Sequence, residues 1–374
     1  MRRVLGVVVS VVLVAAVGVV IAVRWPHSPG PALTRVSGLI GSEKTEFFNS
    51  PEVQQALRND KLDVHVTSSG SWQMAQQVAA KPTAYDFAFP ASSTATSSLK
   101  DLNSVPVRPF YSPLVVIANR STVDLLLRDS WNGVAGPMGK VPPLLKSGQD
   151  GAELLDMDAY RQAVAANLTW GAVDPQGTRK DLRGQLLIST TDPASSSSAA
   201  LYLAVMSYLA NGQQVVTDQS GIDRVGPLLK QLVQSQGALL ASSDELFRDF
   251  LSGVGRPLIW TYESEAAGLA RAGKLPQDTV VLYPDTTIQS DHTVVELTKN
   301  AEPFAAAMQN DPVLRQLAAR FGFRPSGDPQ AMVQALGERG TGFAADVTRI
   351  GSFQVAPPST DNLQKLVNAA KGSN

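Results

Sequence analysis

Apolar extended segments and helix-like segments alternate through the first part of the chain, and this alternation is what most constrains the fold. Residues 35–40 are predicted to form a strand that ends at Gly41 and Ser42, and a helix follows with Ser50 as N-cap and Pro51 at its first position. Two further strand segments, LDVHVTSS and YDFAFPAS, flank the helical segment GSWQMAQQVAA. This pattern predicts an α/β fold with a mostly parallel sheet and helices on both of its faces.

An uncharged apolar run covers residues 4–23 and is long enough for a membrane-spanning helix. Arg2 and Arg3 precede the run and only Arg24 follows it, which favours a cytoplasmic N-terminus. We therefore expect residues 1–24 to be a transmembrane signal anchor and residues 25–32 to be a Pro/Gly linker. The expected location is the cell membrane, in a single pass, with the C-terminal body extracytoplasmic. A cleaved signal peptide is the alternative, although its apolar core is usually shorter and ends in a small-x-small site.

Charge and cysteine content exclude several classes of partner. The formal net charge of -1 provides no basic excess to neutralise phosphates, so we expect no nucleic-acid partner. The chain contains no cysteine, which excludes disulfides, thiolate metal ligands and lipid attachment through a cysteine.

Motifs for catalysis are missing from the sequence. It contains no phosphate-binding loop, no HExxH and no dinucleotide-binding glycine pattern. Each of the three histidines, His27, His65 and His292, is more simply explained as a surface or core residue than as a catalytic base. Asp156 and Asp158 are predicted to begin a helix rather than to bind a metal. We expect a protein that is not an enzyme and needs no cofactor or metal.

Serine occurs at three predicted turns between a strand and a helix. These turns are GSEK with Ser42 and Lys44, TSSGSW with Ser69 and Ser71, and DPASSSS with Asp192 and residues 195–198. A helix cap is one interpretation of the last run, and it needs one or two of the four serines. A ligand cradle is the other, because helix N-termini at the carboxyl edge of an α/β sheet offer free N–H groups and partial positive charge. Gly212 is placed to end the helix that follows.

The order of the motifs resembles the extracellular solute-binding proteins of the type II periplasmic-binding-protein fold, especially bacterial relatives of the molybdate, sulfate and phosphate binders. These motifs are, in chain order, GLIGSEK, SSGSW, YDFAFPAS, YSPLVVIA, TTDPASSSSAALYLA, WTYESEAA, LYPDTTIQSDHTVVEL and FGFRP. The resemblance implies two doubly wound α/β domains joined by a two-crossover hinge, with a ligand held between them. The implied domains are residues 33–110 with 281–374, and residues 111–279. Residues that match the family's ligand loops are Ser42, Lys44, Ser69, Ser71, Ser92, Ser112, Asp192, Ser195, Ser197, Tyr262 and Glu263.

The function implied by the resemblance is that of a membrane-anchored extracytoplasmic solute-binding protein. It would hold a small polar ligand, an anion being one candidate, and deliver it to the permease of an ABC-type importer. The alternative is a binding-protein-like scaffold that assembles an envelope complex without transport. If the segment YESE is extended, Glu263 and Glu265 point to different sides, and Glu263 is the better candidate for the cleft.

Overall fold

The computed structural model describes residues 32–97, 99–102, 105–127, 135–136, 139–149 and 153–372. The predicted anchor, residues 1–24, and all but the last residue of the predicted linker lie outside the described residues. Within those ranges, no helix has both the length and the apolar character needed to cross a membrane. The described residues from 35 onward form one compact unit.

Strands and helices alternate along the described chain, as the sequence predicts. The strands are β1 Thr34–Ile40, β2 Leu62–Ser68, β3 Phe87–Phe89, β4 Val107–Asn119, β5 Ala135–Gly136, β6 Gly139–Lys140, β7 Leu145–Ser147, β8 Glu153–Leu155, β9 Leu258–Tyr262, β10 Thr279–Pro284, β11 Thr286–Thr287, β12 Gln289–Glu296, β13 Arg324–Pro325 and β14 Phe353–Gln354. The helices are α1 Thr45–Asn49, α2 Pro51–Asn59, α3 Met74–Ala80, α4 Arg120–Leu126, α5 Met157–Ala165, α6 Trp170–Val173, α7 Ser197–Ala210, α8 Gln219–Gln234, α9 Ser243–Leu251, α10 Glu263–Arg271, α11 Glu302–Asn310, α12 Pro312–Arg320, α13 Ala331–Leu336 and α14 Thr360–Lys371.

Ten of the described strands form one mixed sheet, in the order β2-β1-β3-β12-β4-β10-β8-β7, with β9 and β13 also paired to β4. β1 is parallel to β3 and β8 is parallel to β10. However, β4 is antiparallel to β9, β10, β12 and β13. The prediction of a mostly parallel sheet is therefore wrong. The physical reason is that β10 and β12 lie beside β4 but run in the opposite chain direction. Neighbouring strands of opposite direction pair in an antiparallel ladder.

Helix ends follow the signals in the sequence. Ser50 caps α2 by accepting a hydrogen bond at its Oγ from the backbone N–H of Glu52, at 3.3 Å. Asp156 caps α5 in the same way, with its Oδ1 2.8 Å from the N of Ala159, which confirms that this acidic pair begins a helix. Gly212 follows α7 with a φ of +67°, a left-handed conformation that a glycine adopts without strain.

The helix after the serine run is the most buried helix of the described chain. Twelve of the 14 residues of α7 are buried, and its apolar side chains belong to one large apolar cluster. The C-terminal helix α14 contributes Leu363 and Leu366 to the same cluster and packs against α7 and α8. The predicted domain division assigns α14 to one domain and α7 and α8 to the other, and its boundaries stay a prediction.

We predict that Leu203→Ala in α7 lowers the free energy of unfolding by about 2 to 5 kcal/mol, because Leu203 is 1% exposed and its removal leaves a cavity in the largest cluster. Urea denaturation followed by circular dichroism measures this loss. Val313→Ala is the matched control, because Val313 is 52% exposed and its truncation changes stability by only about 0.5 kcal/mol. Equal losses for the two variants would contradict the assignment of α7 to the core.

Candidate functional site

One cavity lies where two strand-to-helix turns meet three helix N-termini, and its volume is about 640 Å³. Pockets for small ligands typically measure about 300 to 1,000 Å³. The turns follow β1 and β2, and the helices are α7, α9 and α10. The lining residues are Gly41, Ser42, Glu43, Thr45, Glu46, Ser68, Ser69, Gly70, Ser71, Gln73, Gln77, Ser195, Ser196, Ser197, Ala241, Ser242, Ser243, Asp244, Glu245, Phe247, Arg248, Leu251, Tyr262, Glu265 and Leu269.

The two turns are joined to each other by a backbone hydrogen bond, and the turn after β2 lies against the serine run. The backbone N–H of Ser69 donates to the carbonyl of Ile40 at 2.9 Å, which joins the end of β2 to the end of β1. A Cβ atom added to Gly70 would lie 2.7 Å from the carbonyl oxygen of Ser195. Only a glycine allows this approach, so Gly70 lets the turn after β2 close one side of the cavity.

Two of the three helices that begin at the cavity have a serine at the N-cap position. Ser196 precedes α7 and Ser242 precedes α9, and neither side chain accepts a hydrogen bond from a backbone N–H of its own helix within the described residues. Instead, the Ser196 hydroxyl bonds to the Ser198 hydroxyl at 3.0 Å, and the Ser242 hydroxyl donates to Asp244 Oδ1 at 2.7 Å. Ser196 thus occupies the N-cap position of α7, as the cap interpretation predicts, but its hydroxyl makes no capping hydrogen bond. The ligand interpretation stays a prediction.

Ser197, the first residue of α7, presents an unusual polar group. Its side chain lines the cavity and is only 2% exposed. Among the described residues its hydroxyl has no hydrogen-bond partner. A buried hydroxyl without a partner costs about 1 to 3 kcal/mol. A ligand that bonds to this hydroxyl recovers that cost.

A buried ionic cluster lies behind the first turn. The Lys44 ammonium contacts a Glu43 carboxylate oxygen and lies 3.0 Å from Nδ1 of His292, which is itself 3.4 Å from Glu43 Oε1. Burial would raise the pKa of Glu43, but Lys44 and His292 outweigh it and hold this pKa at about 2. Burial, together with the Lys44 charge, lowers the pKa of His292 to about 4. At neutral pH the cluster holds an ionised Glu43 beside a neutral imidazole, and burial lowers the pKa of Lys44 although the Glu43 charge opposes this shift.

Glu265 lies on the opposite wall, in the first turn of α10. Ser243 donates to its Oε1 at 2.7 Å, and Thr261 donates to its Oε2. Burial raises the pKa of Glu265 to about 8 despite these two hydroxyl donors, and the negative charge of Glu43 acts in the same direction. Burial, with both carboxylates nearby, also raises the pKa of the neighbouring Tyr262 well above its usual value. A neutral Glu265 is thus held at the cavity surface at pH 7.

The structure brings six of the predicted site residues together and leaves five elsewhere. The six that line the cavity are Ser42, Ser69, Ser71, Ser195, Ser197 and Tyr262. The five whose side chains are not part of the lining are Lys44, Ser92, Ser112, Asp192 and Glu263. A role in ligand binding stays a prediction for all eleven residues.

Those five residues form other contacts in the described chain. Lys44 belongs to the buried ionic cluster, and Ser92 bonds to the Thr94 hydroxyl at 2.8 Å. The Ser112 hydroxyl accepts from the backbone N–H of Ser264 at 3.1 Å. Asp192 forms an ion pair with Lys371 at 2.8 Å, which joins the serine run to the last turn of α14.

Glu263 and Glu265 occupy positions opposite to those expected. The segment is helical from Glu263 onward, so two residues later the chain has turned and Glu265 reaches the cavity. Glu263 instead forms a fully buried, two-point ion pair with Arg324, at 2.6 and 2.7 Å. The hydroxyl of Tyr283 also donates to Glu263, at 2.5 Å. Glu263 therefore joins α10 to β13 and β10.

Sequence reasoning missed the acidic part of the lining. Glu43 lies in the motif GSEK, between the predicted site residues Ser42 and Lys44. The start of α9 had a readable signal, because Ser242 and Glu245 have the Ser-x-x-Glu spacing of a helix N-terminus. No local sequence signal predicts that this helix packs near the serine run, because that packing depends on contacts between residues distant in sequence.

Comparison with solved structures shows a shared fold. Over 90% of this chain and 96% of the other, the structure is similar to a periplasmic thiamin binding protein, with a TM-score of 0.58 and 10% identity. It is similar to iron-bound HitA from Pseudomonas aeruginosa over 90% and 99% of the two chains, with a TM-score of 0.57 and 10% identity. An ABC substrate-binding protein from Listeria monocytogenes in complex with cycloalternan matches over 91% and 95%, with a TM-score of 0.54 and 12% identity.

These neighbours are type II periplasmic substrate-binding proteins, and the chain has their mixed α/β fold. At 10 to 12% identity the likeness concerns the fold and not the ligand. No protein-family model matches the chain, and no curated protein sequence matches it.

We predict that Glu263→Gln lowers the free energy of unfolding by about 3 to 5 kcal/mol, because it leaves the buried guanidinium of Arg324 without a counter-charge. Urea denaturation measures the loss. Glu302→Gln, which removes an exposed carboxylate from the first turn of α11, is the matched control and costs about 1 kcal/mol or less. A loss below that of the control would show that the Glu263–Arg324 pair does not stabilise the fold.

We predict that Glu265 contributes a fall in stability as the pH rises from about 5 to 8, that His292 contributes in the opposite sense below about pH 6.5, and that Glu265→Gln removes only the first contribution. An unfolded glutamate ionises near its usual pKa of 4.5, whereas folded Glu265 keeps its proton up to a pKa of about 8. Between these values the folded state binds the extra proton, so a rise in pH favours unfolding, by up to a few kcal/mol on the order-of-magnitude scale of such linkage. Thermal melts of both proteins across this range measure the difference, and parallel curves would contradict the prediction.

Proposed function

We propose that this protein is a solute-binding protein that holds one small polar ligand in the cavity between the turns after β1 and β2 and the N-termini of α7, α9 and α10. The observation that carries this proposal is the unpaired, buried hydroxyl of Ser197, a residue that is 2% exposed and lines a cavity of about 640 Å³. Natural proteins pair nearly all buried polar groups, so an unpaired one on a cavity wall indicates a missing partner. The ligand supplies that partner.

Three further features support a binding role. Serine side chains line both sides of the cavity and can each donate and accept a hydrogen bond. Phe247, Leu251 and Leu269 add apolar surface, and a mixture of apolar walls and a few polar groups is typical of small-molecule sites. The three solved structures compared above are substrate-binding proteins.

The proposal extends to the cellular setting. The protein delivers its ligand to the permease of an ABC-type importer, a role supported by the structural likeness to the ABC substrate-binding protein from Listeria monocytogenes. It is held at the membrane by residues 1–24, with the folded body outside the cytoplasm. The apolar run at residues 4–23 and the arginines around it support this part of the proposal.

We predict that a thermal-shift screen of the full-length chain, in a mild nonionic detergent, identifies a class of ligand that stabilises it. The panel contains oxyanions, amino acids, organic cations, sugars and short peptides. Binding to the folded state alone adds RT ln(1 + [L]/Kd), about 2.7 kcal/mol at a hundredfold excess over Kd. Ser197→Ala is expected to abolish most of this shift while leaving the unliganded protein equally stable or more stable, because it removes an unpaired hydroxyl.

Ser207→Ala is the matched control for this variant. Ser207 lies in the same helix and is equally buried, but its hydroxyl donates to the carbonyl of Ala204, away from the cavity. This variant is expected to keep the full ligand-induced shift. A shift that survives Ser197→Ala would contradict the site. A well-folded chain that no member of the panel stabilises would contradict the proposed function and favour the envelope-scaffold alternative.

A further inference from the structure

Acidic side chains predominate on the cavity wall. Among the described residues that line it, five carry a carboxylate and one carries a guanidinium. The carboxylates are those of Glu43, Glu46, Asp244, Glu245 and Glu265, and the guanidinium is that of Arg248. The ammonium of Lys44, which the sequence suggested for an anionic ligand, lies behind the lining and is fully buried. The sign of the cavity charge is therefore the reverse of what an anion requires.

Local pairing reduces this charge without removing it. Arg248 pairs with Asp244 at 3.1 Å, and Lys44 pairs with Glu43. Glu46, Glu245 and Glu265 then have no basic partner among the described residues. The N-termini of α7, α9 and α10 contribute about half a positive charge each, but Asp244 and Glu245 occupy the first turn of α9, and Glu263 and Glu265 occupy that of α10. The lining therefore favours a cation over an anion, and Glu265 adds its negative charge once it loses its proton.

The carboxyl group of Glu265 is held in a fixed orientation, as a counter-ion for a bound cation would be. Two hydroxyl donors, Ser243 on α9 and Thr261 on β9, hold its two carboxylate oxygens. Both donors stabilise the ionised form of a carboxylate, and the fixed orientation reduces the entropy lost when a ligand binds. The unpaired hydroxyl of Ser197 lines the same cavity and provides a separate, neutral anchor point.

From this arrangement we infer that the ligand is a small organic cation, whose cationic nitrogen pairs with Glu265 and whose polar substituent bonds to Ser197. This inference rests on the proposed function and specifies the ligand class of the same cavity. An organic cation fits better than a bare ion, because a volume of about 640 Å³ with Phe247, Leu251 and Leu269 on its walls also accommodates a carbon skeleton.

Binding of such a cation is coupled to the release of a proton. The charged and titratable groups around Glu265 are Glu43 and Lys44 on the turn after β1, Tyr262 on β9, and Asp244, Glu245 and Arg248 on α9. Burial keeps the pKa of Glu265 at about 8 in the unliganded protein, so the cation displaces its proton at pH 7. Apparent affinity then rises with pH, by close to tenfold from about pH 6 to 7, and levels off above the pKa.

The test is isothermal titration calorimetry on the full-length chain in nonionic detergent, with two matched probe sets. N-methylglucamine, sorbitol and gluconate share a hexitol skeleton and differ in charge. Agmatine and 4-guanidinobutyrate are similar in length, and a carboxylate replaces one of the two cationic groups of agmatine. We expect at least one of the two cations to bind, and its neutral or anionic counterpart to bind at least about tenfold more weakly, as loss of a charge-assisted contact predicts.

Glu265→Gln separates the counter-ion from the rest of the site. The amide has the shape of the protonated carboxyl group: its oxygen can accept from one of the two hydroxyls, Ser243 or Thr261, and its NH2 group can donate to the other. We expect this variant to lose about tenfold or more in cation affinity and to bind independently of pH between about 6 and 8. Glu302→Gln removes a carboxylate outside the cavity and is expected to bind as the unaltered chain does.

Three results would contradict parts of this account, and they differ from one another. Tighter binding of sorbitol or gluconate than of N-methylglucamine overturns the cation inference and leaves the proposed function intact. Cation binding that Glu265→Gln leaves unchanged in strength and pH dependence overturns the role of Glu265. If these probes and the whole thermal-shift panel fail to bind, the proposed function itself is wrong.

Discussion

Antiparallel pairing along β4 is the constraint on which the rest of the structure depends. This 13-residue strand pairs with β12 and β13 over its first half and with β9 and β10 over its second half. The pairing with β9 fixes Trp260, whose indole N–H donates to the carbonyl of Ser198 at 3.1 Å and thereby positions the first turn of α7. β9 also delivers Tyr262 and the start of α10 to the cavity wall. One strand pairing thus sets both the serine run and Glu265.

Two buried ionic arrangements show how the fold manages charge near the cavity. Arg324 and Glu263 are both fully buried and pair at two points, which compensates their desolvation and keeps both out of the lining. Lys44 is neutralised by Glu43 in the same way. Glu265 has no such cation among the described residues and keeps its proton instead. The site is therefore prepared for a positive charge that the described chain does not itself supply.

Local signals in the sequence predicted much of the secondary structure, because helix caps and strands depend on neighbouring residues. Ser50, Asp156 and Gly212 mark helix ends where the structure has them. The site was predicted less well, since a shift of one helix start reverses which side chain faces inward. For this reason Glu265, and not Glu263, lines the cavity. Lys44 was predicted to face the cleft, but it is buried in contact with Glu43 and His292 behind the cavity lining. Burial and charge pairing depend on contacts between distant segments.

The sequence by itself determined the α/β class and the serine turns that begin helices, because hydrophobic period and capping chemistry act over a few residues. Its resemblance to the type II binding proteins also predicted the fold that the solved structures share. Only the tertiary structure decided that the sheet is mixed and that the cavity wall is acidic. Residues far apart in the chain are brought together in two ways: β10 and β12 pair with β4, and α9 and α10 lie beside the serine run at the cavity. Cavity charge is the sum over such residues, so no local pattern reveals it.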